Sequence, residues 1–220
     1  STVALRIGGY GGPTGAYQDW TEEFDGTSWT AGGGLATARG SCAVFGIQTA
    51  ATAVGGYSPG YTSAAEEYNG STWSSETAYP ATFASGGGAG TTTAGMCFGG
   101  NPGGKDATNE YDGSTWTAGG ALNTGRDGPV SSGGTVPAAM CAGGRDPTIP
   151  GVTDVTEQYD GSAWTEVADL NTARKEGATD ISQGTQTASL VAGGHTSPGP
   201  RVTATEEFGP GTVVKTVTIS

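Results

Sequence analysis

Short apolar runs, separated by Gly, Pro, Asn and Asp, follow one another along the whole chain. In a typical stretch they cover Ala38 to Gly46, Thr49 to Gly56 and Ser63 to Tyr68, and a fourth run surrounds Trp73. Short runs bounded by turn residues are typical of strands. No window carries apolar residues at the 3.6-residue spacing of an amphipathic helix. The pattern therefore predicts an all-β fold.

The motif TEEFDGTSW, at Thr21 to Trp29, returns four times in altered form. Its aromatic residue recurs at steps of 44, 43, 48 and 49 residues, and a Gly-Gly pair keeps the same period. Two markers with one period indicate a repeat protein, whose single units are too small to bury a core alone. We expect one domain, 1–220, with five repeats at about 1–34, 35–78, 79–121, 122–169 and 170–220. The aromatic residues are Phe24, Tyr68, Tyr111, Tyr159 and Phe208, and the Gly-Gly pairs begin at Gly8, Gly55, Gly99, Gly143 and Gly193.

Each full repeat divides into four predicted strands, which we label a to d in chain order. An Asn-Gly or Asp-Gly pair separates strands c and d, and such pairs accept the positive φ that tight hairpins need. Gly-Gly at the end of strand b, an aromatic residue at the end of strand c and a Trp on strand d together resemble the Kelch repeat. The resemblance covers essentially the whole chain. It implies a Kelch-like β-propeller with four-stranded antiparallel blades, and the five copies of each marker predict that it is five-bladed.

The two ends of the chain are expected to close the ring of blades. The first repeat begins at strand b, because STVALRIGG from Ser1 aligns with the strands b that end in later Gly-Gly pairs. The last segment, Thr212 to Ile219, has the register of a strand d without its Trp. It completes either the fifth blade or the first. We favour the fifth, because Gly209-Pro210-Gly211 stands where the other repeats have the Asn-Gly or Asp-Gly turn.

A second motif makes the resemblance specific to one group of Kelch-like proteins. It reads LATARG from Leu35, LNTGRDG from Leu122 and LNTARKEG from Leu170. With the first motif it resembles the Gly-rich Kelch-like arrays, carrying TEEYDGTSWT and LNTAR signatures, of bacteriophage and especially marine phage virion proteins. The resemblance implies a virion or extracellular location and a tail-fibre or appendage domain.

Net charge and the length of the apolar runs argue against a nucleic-acid partner and against membrane insertion. The formal net charge is -12, whereas phosphate binding needs clustered Lys and Arg, so we expect no nucleic-acid partner. No apolar run reaches the roughly 18 residues of a membrane-spanning helix, so we expect no membrane insertion.

Three cysteines, Cys42, Cys97 and Cys141, are too few for a disulfide framework. Cys97 and Cys141 share one repeat position, where we expect small buried side chains, with a bridge between neighbouring repeats as the alternative.

The connections between strands b and c, the b–c loops, differ in length and content from repeat to repeat, whereas the c–d turns are nearly uniform. Repeats keep what folding requires and vary what it does not, so the b–c loops are expected to form the binding face. Exposed aromatic residues can stack on sugar rings or anchor a protein interface, and the alternative is that they only pack their own loops. The candidate ligand-binding residues are Tyr10, Tyr17, Tyr57, Tyr61, Lys105, Arg145, His195 and Arg201.

Three arginines, Arg39, Arg126 and Arg174, occupy equivalent positions at the entrance to strand a, and Phe83 takes that position in the third repeat. They could form an anion-binding ring at the mouth of a central channel. The favoured interpretation is that each pairs with a carboxylate of a neighbouring Glu-Glu motif and locks one repeat to the next. Glutamates recur in nearly every repeat, which points to a structural role rather than to a catalytic pair.

Catalytic residues are sparse. His195 is the single histidine, and no Ser lies in a nucleophile-elbow pattern. We expect no catalytic residues, no metal and no cofactor. The sequence therefore predicts a recognition or adhesion module that binds a host cell-surface glycan or protein through the b–c loops. A structural or assembly protein that contacts sister virion subunits is the alternative, and a carbohydrate-active or oxidising enzyme is the least favoured.

Overall fold

The computed structural model describes residues 3–11, 15–103, 105–149, 151–176, 178–179, 186, 188–197, 199, 201–209 and 213–217. Within these ranges all regular secondary structure is β-strand, so the all-β prediction is confirmed. Nineteen strands form five antiparallel sheets, which we number 1 to 5 because they follow one another in chain order.

Each sheet is a simple meander, in which strands adjacent in sequence are hydrogen-bonded neighbours. Sheet 1 holds β1 (Ala4–Gly11), β2 (Ala16–Phe24) and β3 (Trp29–Ala31). Sheet 2 holds β4 (Ala43–Ile47), β5 (Ala50–Val54), β6 (Ala65–Tyr68) and β7 (Trp73–Glu76), and sheet 3 holds β8 (Gly87–Thr91), β9 (Ala94–Phe98), β10 (Thr108–Tyr111) and β11 (Trp116–Ala118). Sheet 4 holds β12 (Ser131–Thr135), β13 (Ala138–Gly144), β14 (Thr153–Tyr159) and β15 (Trp164–Glu166), and sheet 5 holds β16 (Ala178–Thr179), β17 (Ser189–Ala192), β18 (Thr205–Gly209) and β19 (Val213–Val217).

The placement of the last strand agrees with the favoured prediction. β19 pairs with β18, with Val214 opposite Phe208, so it completes sheet 5. The alternative, in which this strand completes the first sheet, is wrong, because sheet 1 has three strands that correspond to b, c and d. Pro210 and Gly211 of the predicted turn lie outside the described residues.

Strand a begins later than predicted. In the second repeat the expected strand starts at Ala38, but β4 starts at Ala43. Ser41 has a φ of 58°, in the left-handed region that an extended strand cannot contain. The segment before Ser41 is therefore a linker that crosses from one sheet to the next, and Arg39 lies in this linker.

The motif's Tyr and Trp residues join sheet 2 to sheet 1 and sheet 4 to sheet 3. The Tyr68 hydroxyl donates a hydrogen bond to Glu23 of sheet 1, and the Trp73 indole N–H donates to the Thr21 hydroxyl at 2.8 Å. The same pair of bonds joins sheet 4 to sheet 3, from Tyr159 to Glu110 at 2.7 Å and from Trp164 to Thr108 at 2.9 Å. The apolar core accordingly lies between consecutive sheets and not within any one of them.

The Gly-Gly pair marks the point where the next linker approaches the sheet most closely. A Cβ on Gly143 would lie 2.5 Å from the Arg174 carbonyl oxygen, which is too close for any side chain. Gly144 has a φ of 114° and donates its N–H to the same carbonyl at 2.8 Å. Equivalent bonds run from Gly9 to Arg39, from Gly56 to Phe83 and from Gly100 to Arg126. The first glycine therefore gives room, and the second supplies the conformation and the donor.

Cys97 and Cys141 are fully buried free thiols in the clusters between sheets, which confirms the prediction of small buried side chains. Burial raises the pKa of the Cys141 thiol to about 11. The bridge between repeats that was the alternative does not form.

Candidate functional site

Four tyrosines of the first two b–c loops lie side by side and form the tyrosine row. The ring centroids of Tyr10 and Tyr17 are 5.0 Å apart, those of Tyr17 and Tyr57 are 5.7 Å apart, and those of Tyr57 and Tyr61 are 5.1 Å apart. Tilted and edge-to-face pairs at such distances are favourable. The row crosses the boundary between sheets 1 and 2, so neither loop contains it alone.

The two ends of the row are open to solvent. Tyr10 is 69% exposed and Tyr61 is 42% exposed, while Tyr17 and Tyr57 between them are half-buried. Burial, together with the neighbouring Tyr57 and Tyr10, raises the pKa of Tyr17 above its usual range. The Tyr17 phenol is thus uncharged near neutral pH, and the four rings together form an aromatic surface that suits stacking on a ligand.

Backbone pairing holds the row in place. The first b–c loop is largely a continuation of β1 and β2, in which Tyr10 lies directly opposite Tyr17. In the second loop Tyr57 forms isolated bridges with both Tyr61 and Gly40. The rings are therefore cross-strand neighbours, which is the arrangement in which aromatic side chains of a sheet interact.

A charged cluster lies on the loops of the third and fourth repeats. Asp127 accepts from Lys105 at 2.7 Å and from Arg145 at 2.9 Å, and its side chain is buried. Burial alone would raise the pKa of Asp127, but hydrogen bonds and charge from the two cations outweigh it, and the net effect is a lowered pKa. The Asp127 hydrogen bond is the main cause of a raised pKa at Arg145, and Tyr61 adds to it. Tyr61 therefore lies within electrostatic range of Arg145.

Asp127 is a member of this cluster that sequence reasoning missed. It follows Arg126 directly. In the second to fifth repeats, the residue at this position forms an isolated β-bridge with the first residue of the b–c loop of the same repeat. The bridges are Gly40 to Tyr57, Ala84 to Asn101, Asp127 to Arg145 and Lys175 to His195. Opposite charges at two positions that pair in the second to fifth repeats were the signal that could have identified it.

His195 and Arg201, the last two predicted site residues, belong to the fifth b–c loop and bridge to each other through their backbones. Arg201 is exposed. His195 is half-buried, and its Nδ1 atom is buried with no hydrogen-bond partner among the described residues. The structure thus places these two together, on the fifth repeat, while the tyrosine row lies on the first and second.

A chain of backbone hydrogen bonds fixes the turns beneath these loops. Ser85 N–H donates to the Ser41 carbonyl at 2.8 Å, Gly128 N–H donates to Ser85 at 2.6 Å, and Glu176 N–H donates to Gly128 at 2.9 Å. All four residues have a φ between 54° and 58°. Three of them are not glycine, and such conformations persist only where the surroundings hold them. The loops of repeats two to five are therefore anchored to one another at their bases.

The three arginines of the repeated LNTAR-type motif are buried and do not form an anion-binding ring open to solvent. Arg39 pairs with Glu66, Arg126 with Glu157 and Arg174 with Glu206, and each partner lies on strand c of the sheet that follows the linker. The prediction of a glutamate partner agrees with the structure, but the prediction that these pairs lock one repeat to the next is wrong, because both members of each pair belong to the same repeat. The ring interpretation does not fit side chains that are at most 1% exposed.

The third repeat lacks both members of this pair. Phe83 replaces the arginine, and Asn109 stands at the position of the glutamate. Phe83 packs its ring 4.7 Å from that of Tyr79, and the Asn109 side-chain amide donates to the Tyr79 hydroxyl at 2.8 Å. An aromatic contact and a neutral hydrogen bond thus fill the space of the ion pair.

Two further findings concern other kinds of site. No group of three or more His, Cys, Asp or Glu side chains is placed to hold a metal ion in the part of the chain that is described. That part also contains no helix long and apolar enough to span a membrane.

Comparison with known proteins adds a likeness of fold. Neither a scan against protein-family models nor a search of curated proteins finds a match. Among solved structures, the chain is similar to one described as "Structure of YjhT", with a TM-score of 0.77 and 13% sequence identity. The likeness covers 99% of this chain and 82% of the other. At this identity it shows a shared fold and no more.

Proposed function

We propose that the five sheets are the blades of a Kelch-like β-propeller and that the b–c loop face is a recognition surface for a carbohydrate on a host cell. The observation that carries the proposal is the tyrosine row, an aromatic surface with open ends built from two neighbouring loops. Aromatic rings supply large contact area at low cost in conformational entropy, and their faces suit the apolar faces of sugar rings.

The charged cluster supports the same face. Arg145 is half exposed while it bonds Asp127, so its outer N–H groups can reach a ligand while the inner ones stay fixed. An arginine held in this way loses little freedom on binding a hydroxyl or carboxylate of a sugar. A ligand that spans from Tyr61 to Arg145 would use both groups.

Shallow contacts of this kind give weak binding at a single site, and many copies on one particle multiply it. This is the setting of a virion appendage, and the resemblance of the repeats to phage virion arrays supports it. The proposed role is therefore that of a tail-fibre or appendage domain, which adheres to the cell surface and carries out no reaction.

A glycan array probed with the domain in monomeric and multimerised form tests the proposal. We expect binding of the multimer, and at least about fivefold weaker binding when Tyr10 or Tyr61 is changed to Ala, since an aromatic anchor typically contributes more than about 1 kcal/mol. Trp29→Ala is the matched control, because Trp29 is also half exposed but lies next to a c–d turn. Absence of glycan binding by the multimer, or equal losses in all three variants, contradicts the proposal.

A second candidate is an assembly role, and one observation favours it. Trp29 of sheet 1 and Leu190 of sheet 5 are 50% and 46% exposed, although Trp164 and Met140, their counterparts in sheet 4, are buried. Exposed apolar faces of this kind often mark protein contacts. Cryo-electron microscopy of the native particle distinguishes the two roles, because an assembly protein would have these faces covered by sister subunits and its b–c face inaccessible.

A further inference from the structure

The c–d turn of sheet 2 contains the single Asn-Gly pair of the chain, Asn69-Gly70. The other complete copies of the motif have Asp-Gly at this place, beginning at Asp25, Asp112 and Asp160. The turn at Asp112 offers a direct comparison, because both turns continue with Gly-Ser-Thr-Trp. These two turns therefore differ only in whether the first side chain is an amide or a carboxylate.

The side-chain oxygen of Asn69 lies in a site built by the backbone of its own turn. Its Oδ1 atom accepts from the Ser71 N–H and from the Thr72 N–H, both at 3.0 Å. Its Nδ2 group donates to the Thr72 hydroxyl at 3.2 Å, which fixes the orientation of the amide. Two backbone N–H groups that point at one oxygen stabilise negative charge that develops on it during a reaction. The side chain is exposed, so water and hydroxide reach the amide.

Gly70 supplies a nucleophile, its backbone nitrogen. The Gly70 N–H donates no hydrogen bond to another described residue, so solvent can remove its proton. Glycine also has no Cβ that would obstruct the approach of the nitrogen. Attack on Cγ of Asn69 forms a new N–Cγ bond, which closes a five-membered succinimide ring and places negative charge on Oδ1. The Cγ–Nδ2 bond then breaks, and Nδ2 takes up a proton and leaves as ammonia.

The remaining asparagines of the chain lack this arrangement. Each is followed by Pro, which has no N–H, or by Glu or Thr, whose side chain obstructs the attack. They are Asn101, Asn109, Asn123 and Asn171.

Water opens a succinimide at one of its two carbonyl groups. Attack at Cγ breaks the bond to the Gly70 nitrogen and gives aspartate with an unchanged main chain. Attack at the main-chain carbonyl of Asn69 gives isoaspartate, in which the main chain runs through the side chain. The Ser71 and Thr72 N–H groups stabilise charge on the Cγ oxygen, whereas the Asn69 main-chain carbonyl accepts no hydrogen bond from a described residue. The turn therefore favours aspartate.

The turn at Asp112 shows that the aspartate product fits. Asp112 Oδ1 accepts from the Ser114 N–H at 2.8 Å and from the Thr115 N–H at 2.7 Å, and both bonds are shorter than those in the amide turn. The backbone agrees as well, since the φ of Gly113 is 94° and that of Gly70 is 89°. The Thr115 N–H, with the other donors of the turn, lowers the pKa of Asp112, so the carboxylate is the favoured form near neutral pH.

We propose that Asn69 is a site of spontaneous deamidation and that the folded turn directs the reaction to aspartate instead of isoaspartate. The net reaction consumes one water molecule and converts the amide to a carboxylate and ammonium. It gives sheet 2 the turn that sheet 3 already has, with one additional negative charge. The turn lies at the opposite end of strand c from the b–c loop, so this modification is separate from the proposed recognition face.

Incubation of the folded 220-residue chain in mildly alkaline buffer, followed by peptide mapping with mass spectrometry, tests the proposal. The peptide YNGSTW, which copies residues 68–73, is incubated alongside as the unfolded reference. In the folded chain we expect conversion of Asn69 and of no other asparagine. We also expect a ratio of aspartate to isoaspartate at least about tenfold higher than in the peptide. This is a modest effect for two N–H donors, because these are exposed to solvent.

Two variants serve as controls. Asn69→Asp supplies the retention time of the aspartate product, and its isoelectric point should match that of the converted wild-type chain. Asn69→Gln keeps an amide on a side chain that is one methylene longer, so ring closure would need a six-membered ring. We expect no acidic species to form from this variant at residue 69.

Three results would overturn the proposal. If Asn69 keeps its amide in the folded chain while the peptide is converted, the folded turn is not a deamidation site. Equal ratios of aspartate to isoaspartate in the chain and the peptide would show that the turn does not direct the hydrolysis. Conversion of Asn109 or Asn171 as fast as that of Asn69 would mean that the reaction proceeds through unfolded chains. All three results come from the wild-type chain and the peptide, so they do not depend on the folding of a variant.

Discussion

The buried Arg126–Glu157 pair provides a sharp test of what holds one repeat together. Both side chains are fully buried, and Glu157 accepts further hydrogen bonds from Asn123 N–H at 2.7 Å and from Thr124 N–H at 3.1 Å. Changing Glu157 to Gln leaves the guanidinium buried with only carbonyl acceptors. We expect the free energy of unfolding to fall by about 3–5 kcal/mol, the usual cost of removing one partner of a buried pair.

Arg126→Met should cost a similar amount, because it leaves the carboxylate buried without a counter-ion. The double variant should cost less than the two single changes added together, with a coupling energy of about 2–3 kcal/mol. Guanidinium chloride unfolding followed by circular dichroism measures all four free energies. Arg6→Met is the control, since the exposed Arg6–Glu22 pair should contribute less than about 1 kcal/mol.

The reasoning is refuted if either single change costs under about 1 kcal/mol, or if the two changes are additive, because a buried and mutually dependent pair predicts neither. Salt provides a second check. The effect of Glu157→Gln should be nearly independent of ionic strength, since buried charges are screened little.

Three further predictions follow from the geometry. Gly144→Ala should lower the free energy of unfolding by at least about 1 kcal/mol, measured by the same unfolding assay, because the φ of 114° is strained for any side chain. Burial, with the Glu110 hydrogen bond, raises the pKa of Tyr159 to about 12. The contribution of this side chain to the free energy of unfolding is therefore fully present below the pKa of about 10 in the unfolded chain and is lost as pH rises toward 12. Tyr159→Phe should flatten this alkaline loss in unfolding curves recorded between pH 9 and 12. Because its pKa is lowered, Asp127 adds to the free energy of unfolding above about pH 4, and this contribution is lost as pH falls further. An acid titration in which the free energy of unfolding of Asp127→Asn falls with the same slope as that of the wild type would disprove it.

The regular features of the fold could be predicted from sequence because each has a local cause. Asp25 shows this clearly, since its carboxylate accepts from Thr27 and Ser28 N–H at 2.7 and 2.8 Å, and Gly26 supplies a φ of 101°. The tight turn, its position and the strands on either side are all encoded within a few residues. The choice of sheet 5 for the last strand was likewise readable from the repeat register.

Features that depend on two repeats could be predicted only in part. The variable loops identified Tyr10, Tyr17, Tyr57 and Tyr61 as candidates, but not that their rings form one row, because the distance between loops depends on how the sheets are placed side by side. The burial of Arg39 could not be predicted from sequence either. It depends on Arg39 lying in a linker, and the small residues around Ser41 do not indicate that the strand begins only after Ser41.

The ion pair of each LNTAR-type linker has a consequence for how such a chain can lengthen or change. Arg39 and Glu66 are 27 residues apart and Arg126 and Glu157 are 31 apart, so both members lie within one segment of about 45 residues. A gene duplication or deletion of one whole segment therefore never separates a buried charge from its partner. Phe83 and Asn109 of the third repeat fit this view, because a segment can replace both members while its neighbours keep theirs.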